Sequence, residues 1–430
     1  MNKEKFNSVF FEIVFLIVAF MILIDVLIGY RAFLNGQYSY SDMLISEWLI
    51  NYAGGFVRRG LIGQLLLSVY NLYPHPITNT IIWIYLMGLI VLISTLFYVF
   101  KKEKWSPFII IFPICISISF LGTRRDYWAL FLSFVCFMFF SRYNNKRSFF
   151  YLVAANSICI INILLHEASF FFMLPLLFVC TFNINCAYSL YRRIYLSLIT
   201  WLPSIISFVL VCIFKGDLGS SELIWESWHS CFVNYPMTDS TPPVGSAVEW
   251  LTHDTTYAFN LHIHRFWNSS FIYDIPSWPF NLYSIISTYY LVLFLNTIKI
   301  GKMDTISNYK YTLSNILIVQ FIFLVPMFGF LSCDFGRIIM YWTSSSLFAY
   351  HWFKGYLSDI PIISTISIKI IMFLDKLSWL SNKWVYFVIL ITLPIAGSQG
   401  SNILSCFFFI PYGWRLTFWD YFLEVLPIVN

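Results

Sequence analysis

Four short charged clusters interrupt an apolar sequence, and their residue types suit anion binding beside an acid–base group. Arginine binds phosphate oxygens through a planar fork that stays charged at neutral pH, and a His next to a carboxylate suits proton transfer. We therefore predict a site where arginines hold an anionic ligand and a His-Glu pair handles a proton. The clusters are Arg58-Arg59, Arg124-Arg125-Asp126, His166-Glu167 and Asp334 with Arg337.

The first cluster has two interpretations. Arg58 and Arg59 could anchor a helix end by reaching toward lipid headgroups. The neighbouring Gly54, Gly55 and Gly60 favour the second interpretation, because glycine lets a ligand approach the backbone closely. Anion binding is therefore the favoured hypothesis for this pair.

The other clusters also have structural alternatives. Asp126 could pair with the two preceding arginines as a helix cap, although one carboxylate cannot neutralise two guanidiniums. Glu167 suits the first turn of a helix, and Asp334 with Arg337, at i and i+3, could be an ion pair within one helix. The sequence that starts at His166 fails the HExxH zinc pattern at its last position, so we predict neither a metal nor a cofactor.

The composition places these clusters in a membrane protein. The 430-residue chain is 59% hydrophobic and 11% charged, with 46 Phe, 28 Tyr and 16 Trp, and its mean hydropathy is +0.74. A water-soluble core of this size could not bury so much apolar surface. The net charge of +5 is spread over short clusters, which does not indicate a nucleic-acid partner.

The predicted fold is all-α, a polytopic membrane protein in which residues 1–430 form one integral domain with about 10–12 transmembrane helices. Residues 34–77 form a first outer segment, whose part from Leu44 to Tyr70 lies along the interface or dips into the protein, and residues 215–279 form one long outer loop. A helix on the inner surface is predicted within residues 355–383. The apolar runs predict helices at 10–30, 78–100, 105–122, 127–141, 148–165, 170–188, 195–214, 280–297, a ninth ending at 333, a tenth ending at 354 and an eleventh starting at 384.

The basic residues predict the orientation. Along this path every Lys except Lys215 falls on one side, whereas the basic residues of the other side are mostly Arg. An excess of positive charge marks the cytoplasmic side, so the N-terminus is predicted to be cytoplasmic. The four charged clusters then converge on the outer face.

The long outer loop carries a weak signal for sugar binding. Aromatic rings pack on the apolar faces of sugars, and carboxylates accept hydrogen bonds from their hydroxyl groups. The loop combines several Asp and Glu residues with Trp225, Trp228, Trp250, Trp267 and Trp278. Several arginines on the same face suggest a lipid-linked pyrophosphate as the ligand, since a transferase with such a donor needs no soluble nucleotide.

Two of these clusters carry a resemblance. The segments Arg124-Arg125-Asp126-Tyr127-Trp128-Ala129 and Leu165-His166-Glu167-Ala168-Ser169, each at the start of a predicted helix, resemble bacterial O-antigen and exopolysaccharide polymerases of the Wzy type. In that group an Arg precedes a later aromatic helix, as Arg337 precedes Tyr341 and Trp342 here. The resemblance extends over about residues 120–345 in pattern.

The resemblance implies a metal-independent glycosyltransferase of lipopolysaccharide biosynthesis. It would join undecaprenyl-pyrophosphate-linked oligosaccharide repeat units at the periplasmic face of the bacterial inner membrane, with membrane lipids and a chain-length regulator as further partners. His166 or Glu167 would orient or deprotonate the acceptor hydroxyl. The residues expected to bind pyrophosphate or glycan are Arg58, Arg59, Arg124, Arg125 and Arg337, supported by Asp126 and Asp334.

Two alternatives stay open. The early outer position of the arginine pair resembles GT-C glycosyltransferases, in which Asp42 or Glu47 would be the catalytic base. The protein would then be a serotype-modifying transferase that moves a single sugar from a polyprenyl-phosphate donor. A lipid-linked oligosaccharide flippase is the third hypothesis, but it predicts charges near mid-membrane and paired broken helices.

Overall fold

The computed structural model describes residues 43–75, 77–103, 105, 125–228, 242, 246–268, 278–294, 303–331, 335–360 and 362–377. Within these ranges the chain is helical and contains no strand. Among the described residues, three helical stretches are long and apolar enough to cross a bilayer, namely Ile77–Glu103, Leu190–Ile213 and Tyr309–Pro326. These features agree with the α-helical membrane protein that the composition indicates.

The helices follow one another with short connections between most of them. A 3-10 helix (Glu249–Leu251) precedes α9, and a π-helix (Met327–Leu331) continues α11. The α-helices are α1 (Met43–Leu49), α2 (Gly60–Leu72), α3 (Ile77–Glu103), α4 (Asp126–Lys146), α5 (Phe149–Leu165), α6 (Ser169–Ile184), α7 (Leu190–Ile213), α8 (Leu218–Glu226), α9 (Thr255–Asn268), α10 (Trp278–Phe294), α11 (Met303–Pro326), α12 (Phe335–Leu357) and α13 (Ile363–Lys376).

Helices lie at the predicted positions wherever the structure describes them, although their ends differ. The helix predicted at 127–141 continues to Lys146, because its end is set by Arg147 in a left-handed conformation (φ 53°) and not by the end of the apolar run. The predicted helices at 10–30 and 105–122 and the one that starts at 384 lie outside the described residues.

The two segments that the sequence analysis assigns to the outer side contain more helix than predicted. Residues 215–279, predicted as a loop, contain α8, the 3-10 helix and α9, and α8 starts at a capping box between Asp217 and Ser220. Residues 44–70 were predicted to lie along the interface or to dip into the protein. The first part dips into the protein, since Trp48 and Leu49 of α1 are completely buried. The Trp228 indole donates to the Leu49 carbonyl at 2.6 Å, which ties α1 to the segment after α8.

Buried asparagines join the central helices. Asn162 of α5 donates to the Ala129 carbonyl and the Ser133 hydroxyl of α4, at 2.9 and 3.1 Å. Asn156, two turns earlier in α5, donates to the Thr200 carbonyl of α7 at 3.0 Å. Such interhelical hydrogen bonds hold helices together where lipid provides no hydrophobic drive between them. On the other side of α4, helix α12 packs against α4, α6 and α11.

This packing brings five helix ends together at one end of the bundle. Helix α4 begins at Asp126, α5 ends at Leu165, α6 begins at Ser169, α7 ends at Ile213 and α12 begins at Phe335. With 21 and 23 residues, α4 and α12 are about 30 and 35 Å long. The opposite ends of α4 and α12 therefore lie far from the gathered helix ends. The residues at the gathered ends form a cluster separate from those at the opposite ends.

The glycines around Arg58 and Arg59 serve the protein's own packing. A Cβ on Gly54 would lie 2.6 Å from the backbone of Ser220, and a Cβ on Gly60 would enter the ring of Tyr52; Gly55 has a φ of +98°. Close packing therefore requires glycine at Gly54, against α8, and at Gly60, against Tyr52 of the same loop. The hypothesis that the glycines let a ligand approach the backbone stays a prediction.

Gly63 in α2 lies similarly close to the backbone of Ile50. This contact predicts how much stability one added methyl group would cost. A Cβ there would lie 2.0 Å from the Ile50 carbonyl oxygen, whereas a Cβ on Gly355 in α12 would meet nothing within 4 Å. Gly63→Ala should lower the stability by about 1–3 kcal/mol through overpacking. Gly355→Ala should be neutral or stabilising by about 0.5–1 kcal/mol, since alanine favours helix. Thermal unfolding in detergent measures both; equal midpoints would contradict this packing.

Candidate functional site

The gathered helix ends hold a continuous network of charged side chains. Its members come from α1, the 58–59 turn, the start of α4, the turn between α5 and α6, and the start of α12. Their charges alternate, and neighbouring members lie within ion-pair distance. The members are Glu47, Arg59, Arg125, Asp126, His166, Glu167 and Arg337.

The centre of the network is the pair Arg59–Glu167. The Arg59 guanidinium donates from Nε to Oε2 at 2.7 Å and from Nη2 to Oε1 at 2.5 Å, the bidentate geometry in which this pair is strongest. Burial alone would raise the pKa of the Glu167 carboxyl, but the charge and hydrogen bonds of Arg59 hold that pKa well below its ordinary value. Burial likewise opposes the charge on Arg59, yet Glu167 and Glu47 outweigh it and raise the pKa of Arg59. Both groups are therefore ionised at neutral pH.

Arg125 lies behind this pair and supports it. The side chain is fully buried; its Nη2 lies 3.3 Å from Glu47 Oε1, and its Nη1 donates to the Arg59 carbonyl at 2.8 Å. Arg59 has a left-handed backbone (φ 64°), which is unfavourable for a residue with a side chain. The hydrogen bond from Arg125 therefore helps to hold Arg59 in its strained turn.

Asp126 does not form the predicted helix-cap pair with Arg125. Its Oδ1 accepts from Arg337 Nη2 at 3.1 Å and lies 3.4 Å from His166 Nε2, because the first turn of α4 faces α12 and the α5–α6 turn. Arg337 thus has a partner in another helix, apart from any pair with Asp334. Its Nη2 also lies 2.7 Å from His166 Nε2 and donates to the Tyr341 hydroxyl at 3.4 Å.

His166 is enclosed by donors. The Ala168 N–H donates to Nδ1 at 3.2 Å, while Arg337 lies against Nε2. A neutral imidazole accepts at one nitrogen only, so these two contacts compete. Burial, followed by the nearby charge of Arg59, lowers the pKa of His166 to about 4. The ring is neutral at physiological pH, and protein groups cover both of its nitrogens.

A cavity of about 280 Å³ opens beside the network. Charged and apolar side chains both line it, and the segment from Trp250 in the 3-10 helix to Phe259 in α9 forms a third side of its wall. Its charged lining consists of Arg58, Arg59, Lys215, Glu167, Asp254 and Arg337, with His166 and His253; its apolar lining includes Ala168, Phe171, Phe208, Val211, Met327 and Leu331.

Arg58 differs from the other arginines at the site. Its Nη2 donates to the Trp250 carbonyl at 3.3 Å, and its backbone N–H donates to the Phe214 carbonyl at 2.9 Å. No carboxylate of the described residues lies within ion-pair distance of it. Burial lowers the pKa of its guanidinium, the largest of several influences, but an arginine stays charged. Arg58 therefore supplies a positive charge that the neighbouring carboxylates do not neutralise.

The predicted site residues separate into two groups. Arg58, Arg59, His166, Glu167 and Arg337 line the cavity. In contrast, Glu47, Arg125 and Asp126 are buried and do not line it, so their place is in the framework behind the ligand space. Asp42, Arg124 and Asp334 lie outside the described residues.

The remaining lining residues were not predicted as a group. Lys215 was assigned to the outer side, but nothing in its sequence context linked it to the arginines. Trp250 belongs to the aromatic set of the long loop, which indicated sugar binding without indicating position. Phe171, Phe208 and Met327 read as ordinary apolar residues of membrane helices, and only the packing of α6, α7 and the π-helix places them beside the charges.

Three comparisons with known proteins found no match. No protein-family model matches the chain, and neither the curated proteins nor the solved structures contain a match.

The framework role of Arg125 can be tested by removing its side chain. Arg125→Ala should lower the stability by about 3 kcal/mol, because it breaks a buried ion pair and leaves the Arg59 carbonyl without this donor. Arg142→Ala is the control, since Arg142 is an exposed residue near the other end of α4. Thermal unfolding in detergent distinguishes the two. A normal midpoint for Arg125→Ala would exclude the framework role.

The buried neutral His166 predicts a pH dependence of stability. Its folded pKa, about 4, lies below its ordinary value of 6.5, so the unfolded chain binds the proton more tightly. The stability should therefore fall as the pH drops from about 6.5 to about 4, in total by about 3 kcal/mol. Glu167, whose ordinary pKa is 4.5, does not contribute above that pH. Unfolding midpoints measured between pH 7 and pH 4.5 should slope less in His166→Gln than in the parent protein; parallel slopes would contradict the prediction.

Proposed function

We propose that this protein is a membrane glycosyltransferase that joins undecaprenyl-pyrophosphate-linked oligosaccharide repeat units, an O-antigen polymerase. The observation that carries the proposal is the lining of the cavity, which combines the basic side chains of Arg58, Arg59, Arg337 and Lys215 with apolar side chains of α6, α7 and the π-helix. A ligand that satisfies both kinds of lining has an anionic head and an apolar tail. The motif resemblance supports the narrower assignment to a polymerase.

The positive charge suits a pyrophosphate. Four basic side chains line the cavity against two carboxylates, Glu167 and Asp254, and Arg58 has no carboxylate partner among the described residues. Phosphate oxygens would complete its hydrogen bonds. The apolar lining, which includes Phe171 and Phe208, would contact the first isoprene units, and such a donor replaces the soluble nucleotide sugars of the cytoplasm.

The proposed reaction exchanges one bond for another at the anomeric carbon. The bond between this carbon and the pyrophosphate oxygen breaks, and a new bond forms to a hydroxyl oxygen of the acceptor unit. The leaving undecaprenyl pyrophosphate gains negative charge, which Arg58 and Lys215 stabilise directly, while Arg59 adds its positive charge from its pair with Glu167. The acceptor hydroxyl loses its proton, and the growing chain passes from its lipid to the new unit.

Glu167 fits the proton-accepting role better than His166. Its carboxylate lines the cavity with 21% of the side chain exposed, whereas the His166 side chain is 3% exposed and its nitrogens face Ala168 and Arg337. A low pKa makes Glu167 a weak base, which suits a reaction whose leaving group is already good. His166 then orients the turn that presents Glu167. Glu47, the base of the GT-C alternative, is buried between two arginines.

The location and topology are parts of the same proposal. The protein would span the bacterial inner membrane with about 10–12 helices, a cytoplasmic N-terminus and the cavity facing the periplasm. Residues 34–77 and 215–279 would lie on the periplasmic side, and a chain-length regulator would be its partner protein.

Loss of the Arg58 side chain tests the proposal most directly. Arg58→Ala should reduce polymer formation by about 10²- to 10³-fold, the usual effect of losing one group that stabilises developing charge. The fold should survive, because the backbone hydrogen bond from Arg58 to Phe214 does not depend on the side chain. The measurement is the lipopolysaccharide ladder on gels from a deletion strain that expresses each variant, with Arg142→Ala as the control.

The same gels distinguish the alternatives. Single repeat units without a ladder in Arg58→Ala, beside a normal ladder in the control, support the polymerase. Normal chain length with one branch sugar missing in the deletion strain would establish the single-sugar transferase instead. If lipid-linked repeat units remain on the cytoplasmic side in the deletion strain, a flippase is the better assignment.

A further inference from the structure

We infer that the third side of the cavity is a carbohydrate subsite, formed by Trp250, His253 and Asp254, which holds the sugar ring next to the phosphate. The inference rests on the proposed function, because it assigns the glycan part of the same lipid-linked ligand. It separates the cavity into an anion end at Arg58, an apolar side for the lipid and a sugar side on the outer segment.

Aromatic rings cluster at this side of the cavity, where Trp250 and His253 line it; this cluster, with the neighbouring Tyr257, is the aromatic platform of the proposed subsite. The rings of Trp250 and His253 lie 5.2 Å apart in an edge arrangement, and the His253 ring stacks on Tyr257 with centroids 4.2 Å apart. Tyr257 is 48% exposed. Flat ring surfaces at the edge of a cavity suit the apolar face of a pyranose, whose axial C–H groups pack on π-systems.

Polar groups lie beside the platform where sugar hydroxyls need them. Glu249 accepts from His253 Nε2 at 2.8 Å, and both side chains are partly exposed. Asp254 lines the cavity, and its Oδ1 accepts from the Tyr257 N–H at 2.5 Å, which fixes the carboxylate at the start of α9. Carboxylate and imidazole groups held in this way can accept and donate hydrogen bonds to hydroxyl groups.

The backbone of this segment is anchored by other residues. Val248 and Leu251 are buried in the core, the Ala247 N–H donates to the Ser46 hydroxyl at 2.8 Å, and the Glu249 N–H donates to Ser246 at 3.1 Å. Trp250, His253 and Asp254 lie on the cavity side of the same short segment. The backbone anchors of the segment are thus other residues, and of these three side chains Asp254 also caps α9 through the Tyr257 N–H.

The subsite lies directly next to the proposed phosphate position. Arg58 Nη2 donates to the backbone carbonyl of Trp250 at 3.3 Å, so the anion-binding group contacts the backbone of the residue that carries the indole ring. A sugar on Trp250 would therefore be adjacent to a phosphate on Arg58, as in a glycosyl pyrophosphate. The cavity, at about 280 Å³, is at the lower limit of small-molecule sites. It has room for the phosphate and the adjoining sugar, while the rest of the glycan extends outward.

The test separates sugar binding from lipid-phosphate binding. Full-length protein in lipid nanodiscs is titrated with two probes: a panel of methyl pyranosides of glucose, galactose, rhamnose and N-acetylglucosamine, followed by saturation-transfer NMR, and undecaprenyl pyrophosphate, followed by thermal shift. Trp250→Ala should weaken pyranoside binding by about fivefold or more and leave the thermal shift with undecaprenyl pyrophosphate unchanged. Trp250→Phe, which keeps an aromatic ring, should retain most of the pyranoside binding.

Two further variants sharpen the result. Asp254→Asn keeps a good helix cap and should weaken pyranoside binding, because the charged acceptor is lost. Trp83→Ala is the matched control, since Trp83 is 59% exposed on α3 and does not line the cavity.

The outcomes distinguish the subsite from the proposed function. Pyranoside binding that is absent from the parent protein, or equal in Trp250→Ala and Trp83→Ala, would overturn the carbohydrate subsite. The same holds if Trp250→Ala abolishes the thermal shift with undecaprenyl pyrophosphate as completely as Arg58→Ala does. Pyranoside binding that depends on Trp250, without any Arg58-dependent shift from undecaprenyl pyrophosphate, would keep the subsite and refute the lipid-pyrophosphate donor.

Discussion

The site depends on the need to neutralise charges that are removed from water. An isolated buried guanidinium or carboxylate is unstable by several kcal/mol, so such groups persist only in well-made pairs. Here Glu47 bridges Arg59 and Arg125, and Asp126 bridges Arg337 and the neutral ring of His166, so that Arg337 is its charged partner. Each bridge connects separate helices, and the requirement for charge balance therefore also fixes how those helix ends are arranged.

This balance is incomplete at one position, and that position faces the cavity. Arginines 59, 125 and 337 have carboxylate partners, while Arg58 donates only to a backbone carbonyl among the described residues. The excess positive charge opposes folding of the empty protein, and an anion that binds there would stabilise it. The arrangement is typical of functional sites, where local stability is given up for ligand binding.

Residues that are adjacent in one sequence cluster have different roles in the structure. Arg58 and Arg59 are neighbours in sequence, but Arg58 is available to a ligand, whereas Arg59 is clamped by Glu167 and held in a left-handed turn by Arg125. Similarly, His166 and Glu167 are adjacent, yet only Glu167 presents a partly exposed carboxylate. Adjacent residues of one motif thus have different tasks, because their side chains point into different surroundings.

By itself, the sequence determined the class of protein, most helix positions and the members of the charged network, but not the lining residues Lys215, His253 and Asp254, since hydropathy and residue type act locally along the chain. It did not determine which charges neutralise one another: Asp126 pairs with Arg337 across the bundle and not with Arg125 beside it. It also left the positions of Trp250, Phe171 and Phe208 open. Only the tertiary structure decided these points, because ion pairing, burial and cavity shape depend on which distant segments meet when the helices pack.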